Sequence, residues 1–272
     1  MEQFMAYSSP LKLKIMNNFH RREFLKMSTW AFASILVADI PGLTQFSQKA
    51  NAANGFYREN EPLNWDAFLS EMSRLAARHK VGYRSKKHVQ RIGALLQRLD
   101  LSTPQIQSAF DNYKNDRPDW FEHDLLHKEV NFQVSLLQFE KGEYISHHDH
   151  PKMCGAIFPV NGELEVKNYD VLPDQFEPEK VKAPTGEEYE KHVSLLRLAS
   201  QETLRKGDVS LLTEESGNVH SVMPTKFSQV IDIFTPAYNE VNEAAARWYQ
   251  VDETAIYEGK KDVYRAEWYK NA

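Results

Sequence analysis

A mainly β fold, an antiparallel barrel or sandwich with an amino-terminal helical appendage, is what the sequence predicts. Three observations lead there. Apolar residues recur at three- and four-residue spacing between Pro62 and Leu101. From Val130 onward the period becomes two, in short runs punctuated by glycine-bearing turns. No helical pattern separates those runs, which favours antiparallel pairing over strand–helix–strand units.

The first residues are set apart from that fold. "NNFHRREFLKMSTWAFASILVADIPGL" carries Arg21 and Arg22, then an apolar stretch from about Met27 to Leu43 that Asp39 interrupts. "QKANAANG" follows, where Ala50 and Ala52 satisfy a small-x-small cleavage rule. The segment resembles a bacterial twin-arginine export signal over residues 1–52. That implies a periplasmic or exported protein, with a cytoplasmic one as the alternative if the signal is not used. An amphipathic or buried amino-terminal helix is the competing structural reading. The run is too short and too polar for a membrane span.

Residues 53–128 are expected to form a helical segment packed on the barrel. Asn64 is a candidate N-cap, followed by Trp65, Phe68, Leu69, Met72, Leu75 and Ala76 at helical spacing. Val89, Ile92, Leu95, Leu96 and Leu99 give a second helix, and Ser102-Thr103-Pro104 opens a third. The barrel and its tail take up residues 129–272. "VNFQVSLLQF" alternates Val130, Phe132, Val134 and Leu136 with other residues, the pattern of a half-buried strand. Further strands are expected at Gly155–Val160, Glu163–Val171, Val193–Ala199, Val209–Thr213, Val219–Met223 and Gln229–Phe234. Charged and proline-containing, Pro173–His192 reads as a long surface loop. The tyrosine- and tryptophan-rich tail after Tyr238 is assigned no structure.

Composition narrows the partners. A chain of 272 residues with 42% hydrophobic residues suffices for one sizeable core. Its net charge of -5, with no long basic block, argues against nucleic acid. Cys154 is the only cysteine, so no intramolecular disulfide forms. A monomer is expected.

The stretch "HHDHPKMCGAIFPVNG" carries the chemistry. Crowded histidines repel one another when protonated and bind metals when neutral. On a strand, His148 and His150 point to one face, and Pro151 then ends pairing and turns the chain. "SGNVHSV" offers His220 as a third ligand on a later strand. His147 and Asp149 have the opposite parity, so Asp149 is expected to pair with a nearby backbone group. His123 and His127 show a helical i, i+4 spacing with no third ligand nearby, and read as a surface or capping pair.

Gly142, the His148-x-His150 pair and Gly162 resemble the first cupin motif, and Gly207 with Gly217–His220 the second. The resemblance implies a double-stranded β-helix barrel. Most metal-binding cupins add a glutamate four or five residues after the second histidine, where this chain has Cys154 and Gly155. Three histidines without a carboxylate are the mark of thiol dioxygenases. "HDHPKM", "VKNYD", "GNVH" and "VIDIFTPAY" are similar, in order, to segments of the plant cysteine oxidase and cysteamine dioxygenase family. That family implies an iron(II) enzyme, Fe(2+) held by His148, His150 and His220, that adds both atoms of O2 to a thiol to give a sulfinate.

The same resemblance implies roles near the metal. Asp232 matches a family acidic residue and is expected to orient a substrate amine or a metal-bound water. Tyr238 matches a tyrosine whose phenol serves the oxygen or substrate side. Animal cysteine dioxygenases crosslink a cysteine, five residues after the second histidine, to a tyrosine. Gly155 stands at that position here, so no crosslink is expected and Cys154 reads as a small buried residue. The implied substrates are a small aminothiol such as cysteamine or a peptide with amino-terminal cysteine, the small thiol preferred for an exported enzyme. Two alternatives stay open: a metal-dependent cupin acting on a non-thiol substrate, and a non-enzymatic cupin binding module.

Overall fold

Asn64 caps the first helix as its sequence position suggests, its Oδ1 accepting from Ala67 N at 2.9 Å. The computed structural model describes residues 61–77, 86–111, 122–173, 175–182, 186–239, 241 and 245–271, all within the unit Tyr57–Ala272. The export signal expected over residues 1–52 lies outside them. Helices α1 (Trp65–Ala77), α2 (Lys86–Leu96) and α3 (Pro104–Asp111) follow the predicted stripes, with Pro104 at the first helical position of α3. Among the described residues no helix is long and apolar enough to cross a membrane.

Twelve strands follow among the described residues: β1 (Glu122–Lys128), β2 (Gln133–Phe139), β3 (Ile145–His148), β4 (Cys154–Asn161), β5 (Glu163–Val171), β6 (Glu179–Lys182), β7 (Glu188–Arg205), β8 (Ser210–Leu212), β9 (Val219–Pro224), β10 (Ser228–Thr235), β11 (Gln250–Ile256) and β12 (Val263–Asn271). They form two antiparallel sheets, ordered β1-β2-β10-β4-β8 and β11-β12-β7-β5-β9-β3, with β6 on β7. This is the predicted mainly β architecture, a cupin double-stranded β-helix with amino-terminal helices. Glycines at positive φ serve its turns; Gly162 (φ 86) has no alternative, since a Cβ there meets Ser228 Oγ at 2.2 Å and Phe227 O at 2.4 Å.

The helices cover the outer face of the five-stranded sheet. Phe68, Met72, Ile92 and Leu96 pack with Phe132, Val134, Ala156, Phe158, Ile231 and Ile233. Each of these side chains larger than alanine contributes about 1.5–3 kcal/mol by leaving water. The opposite parity, Ser135, Ile157, Asp232 and Phe234, therefore faces the interior between the sheets, where Asp232 stands in register with Ser135 and Ile157.

Three expectations are corrected. β2 begins only at Gln133 and all seven of its residues are buried, so it is not half-buried; helices cover one face and the opposite sheet the other. Val130, outside the strand, is exposed. The expected surface loop over Pro173–His192 contains β6 and the start of β7. His123 and His127 lie on β1, not a helix; a bulge between Leu125 and His127 breaks the alternation that marks a strand. The unassigned tail forms β11 and β12, and β12 pairs with β7 from Val263↔Arg197 to Asn271↔Tyr189.

Candidate metal centre

His148 ends β3, and the β3–β9 register sets it directly opposite His220. The two imidazoles are therefore a cross-strand pair on one face. His150 lies beyond the strand and reaches the same place through a turn. Met153 N donates to His150 O at 3.1 Å, with Pro151 and then Lys152 at φ 60 between them, the pattern of a type II turn. Asn218 braces this turn. Its Oδ1 accepts from His150 N at 2.8 Å, and its Nδ2 donates to the carbonyls of His150 and Thr213 at 3.2 and 3.0 Å. One asparagine thus joins the two histidine motifs.

The three side chains are buried and their ligand nitrogens lie within 4.8 Å of one another. His220 Nε2 is 3.1 Å from both His148 Nε2 and His150 Nε2. His148 Nδ1 lies 2.8 Å from the Ser146 carbonyl, which only accepts, so Nδ1 carries the proton and Nε2 presents a lone pair. His220 Nε2 has at most one hydrogen and faces two nitrogens, so one lone-pair contact stays unrelieved unless a cation sits between them. Nitrogens 3.1 Å apart are close enough to share one ion, since metal–nitrogen bonds run to about 2.1 Å. The residues fit a metal.

Electrostatics agree. Burial lowers the His148 imidazole to about 4, with His147 adding to the effect. Burial and the neighbouring imidazoles push His150 and His220 well below the ordinary histidine range. All three imidazoles are neutral at neutral pH, the form that binds a metal. Among the described residues no carboxylate belongs to the cluster.

Around it, Tyr238 reaches the cluster. Its hydroxyl hydrogen-bonds His150 Nδ1, so the phenol braces one of the three histidines. If His150 holds a metal through Nε2, its Nδ1–H donates to Tyr238 Oη. Phe234 lies against His150 with ring centroids 4.3 Å apart. A Cβ on Gly155 meets Ile233 O at 2.7 Å and the Phe234 ring at 2.9 Å, so this position has no room for a crosslinking cysteine. Cys154 points to the helical face, its Sγ 2.9 Å from Thr235 Oγ1, and burial raises its thiol to about 11. It is the small buried residue expected.

Asp232 faces the interior two residues before Phe234. The residue keeps some accessible surface, yet Oδ1 is shut off and without a hydrogen-bond partner. Burial pushes its carboxyl up to about 8, opposed only by a bond from the Ile233 backbone.

The remaining candidates lie away from the cluster. His147 Nε2 pairs with Glu253 Oε1 at 2.8 Å on the opposite face. Asp149 accepts from Arg247 N at 2.7 Å, as its parity suggests, and also from the Arg247 side chain. His127 pairs with Glu129 at 3.1 Å; the side chain of His123 lies outside the described residues. Sequence reasoning missed the tail segment Arg247–Tyr249 beside β3, and it quoted Asn218 without a role. The one available signal was Asp149, whose buried carboxylate demanded a cation from elsewhere in the chain.

Comparison with known proteins completes the description. A family model, PCO_ADO, matches residues 93–268. No curated protein matches the sequence. Among solved structures, KdgF from Halomonas sp. is 16% identical, over 48% of this chain and 94% of that one, with a TM-score of 0.33. An RmlC-like cupin from Desulfovibrio desulfuricans is 15% identical, over 46% and 92%, with a TM-score of 0.31. A double-stranded β-helix protein from Klebsiella pneumoniae is 14% identical, over 46% and 80%, with a TM-score of 0.32.

Proposed function

Because this chain belongs to the PCO_ADO family of cupin thiol dioxygenases, we propose that it is iron(II)-dependent and oxidises an amine-bearing thiol to a sulfinate. The observation that carries this reading is the buried cluster of His148, His150 and His220, which no carboxylate joins among the described residues. His148, His150 and His220 would hold iron(II) as neutral ligands and leave its full charge to favour a thiolate substrate. Bound there, iron(II) would supply the redox chemistry through which a thiol and O2 react.

The chain's own groups supply substrate recognition. Asp232 places a carboxyl on the interior face, with one oxygen shut off from water and unpartnered. A substrate ammonium placed there holds it ionised and gains a charge-assisted hydrogen bond. Among the described residues no lysine or arginine is buried. A thiol bearing a free carboxylate therefore finds no buried cation, whereas cysteamine or a peptide with amino-terminal cysteine finds its anion. Tyr238 holds His150 in place through its hydroxyl. We also propose that Arg21 and Arg22 mark an export signal, which favours a small aminothiol over a cytosolic peptide; cell fractionation with and without Arg21→Lys/Arg22→Lys tests this.

The test of the function is a substrate panel. Protein loaded anaerobically with iron(II) meets cysteamine, cysteine, 3-mercaptopropionate and a cysteine-initiated peptide under air. We expect sulfinate from cysteamine or the peptide and little from 3-mercaptopropionate. Turnover of 3-mercaptopropionate at the cysteamine rate overturns the role given to Asp232, and no oxidation of any thiol overturns the function.

A further inference from the structure

The segment Arg247–Tyr249 touches the metal-site histidines from the open side of β3. Asp149 N donates to Arg247 O at 3.1 Å and Tyr249 N donates to His147 O at 2.8 Å. These two bonds flank His148 and Trp248, which stand opposite each other as an antiparallel bridge. A pair flanked this way is the close, non-hydrogen-bonded kind, with both side chains on one face. The indole accordingly lies flat on the His148 imidazole, ring centroids 4.6 Å apart and planes 19° from parallel.

On the opposite face the same segment is fastened. The buried Asp149 carboxylate accepts from Arg247 N, Nε and Nη2 at 2.7, 2.6 and 2.5 Å, and from Tyr249 Oη at 3.0 Å. The Arg247 guanidinium also lies over the Trp268 ring at 5.3 Å. Asp149 sits between two of the three histidines, so one residue ties the tail to the segment that carries both.

The Ser146 bond fixes one nitrogen of His148 but leaves the ring plane free to swing about that contact. His150 and His220 meet it only edge-on, at interplanar angles of 77° and 68°. Among the described residues Trp248 supplies the one parallel surface, so it sets the plane in which the Nε2 lone pair points. We propose that Arg247–Tyr249 is a strap that positions His148 for the metal, with Trp248 as the stacking surface and Asp149–Arg247 as the latch. The proposal rests on the reading that the three histidines hold a metal ion. Trp248 is a positioning residue, and groups that orient metal ligands in this way are typically worth about 10–100-fold in metal affinity.

Cobalt(II), stable in air, is the probe, used on the full chain with two readouts: competition against a chromogenic chelator, and tryptophan fluorescence. The paramagnetic ion quenches an indole stacked on one of its ligands. The wild type is expected to bind one equivalent with quenching, and His220→Ala to lose binding. Trp248→Ala and Asp149→Asn are expected to bind about 10–100-fold more weakly. Trp248→Phe, which keeps a flat ring, is expected to restore affinity while losing the quenching. If Trp248→Ala does not fold, Asp149→Asn and Trp248→Phe decide. Failure of the wild type to bind cobalt(II) overturns the metal reading and the strap with it. Wild-type affinity in Trp248→Ala or Asp149→Asn, with quenching retained in Trp248→Phe, overturns the strap alone.

Discussion

Asp232→Asn has opposite consequences for folding and for catalysis, and its folding consequence follows from linkage. The Asp232 carboxyl, at about 8 in the folded protein, stands far above the ordinary carboxylate value of 3.8. A carboxyl raised in the folded state makes the native protein bind the proton more tightly than the unfolded chain does. Its contribution is most favourable below pH 3.8, is lost as pH rises toward 8, and is constant beyond. Within that window the slope is about 1.4 kcal/mol per pH unit, so the step from pH 5 to pH 7 costs at most about 3 kcal/mol. Asparagine has the same shape and does not titrate. The stability of Asp232→Asn minus that of the wild type therefore grows by about 2–3 kcal/mol between pH 5 and pH 7 and levels off above pH 8. The assay is urea unfolding of the metal-free protein at pH 5, 6, 7 and 8, taking differences so that all other titrating groups cancel. A difference that stays flat across this range refutes the burial argument, and with it the claim that Asp232 waits for a cationic partner.

The other predictions concern the site itself. With iron(II) and cysteamine, Asp232→Asn raises KM by about 10–100-fold, the worth of a charge-assisted hydrogen bond, in steady-state oxygen uptake. Tyr238→Phe removes the hydroxyl on His150 and weakens cobalt(II) binding by about tenfold in chelator competition. Gly155→Ala drives a methyl into Ile233 O and the Phe234 ring, and destabilises the protein by about 1–3 kcal/mol in urea unfolding. Asn218→Ala frees the His150–Met153 turn and lowers metal affinity, while the chain keeps its far-ultraviolet circular dichroism.

Sequence legibility followed the strength of local signals. Strands β4, β5, β9 and β10 were readable because glycine or proline turns bound them and their apolar residues recur. β5 was placed to the residue, since Gly162 starts it and Leu172-Pro173 follows it. β1 was misread because a bulge displaces its alternation. β11 and β12 were invisible because their partners lie on β7 and on each other, and "VDETAI" carries too many polar side chains to mark a face. At the centre, the convergence of His148 and His220 needed only parity and two strands, but His150 arrives by a turn whose brace, Asn218, is a pairing between distant residues. Tyr238 was legible as a site residue, and its partner was not: which atom a phenol meets depends on the chain beyond Pro236. The stacking of Trp248 on His148 joins segments a hundred residues apart and leaves no spacing to read.

Isotope incorporation tests the central claim most directly. Iron(II)-loaded protein and cysteamine are exposed to oxygen-18 gas in ordinary water, and the product is weighed by mass spectrometry. Two labelled oxygens on sulfur, with no product from His148→Ala or His220→Ala, is the predicted result. A single labelled oxygen, or disulfide as the sole product, contradicts it.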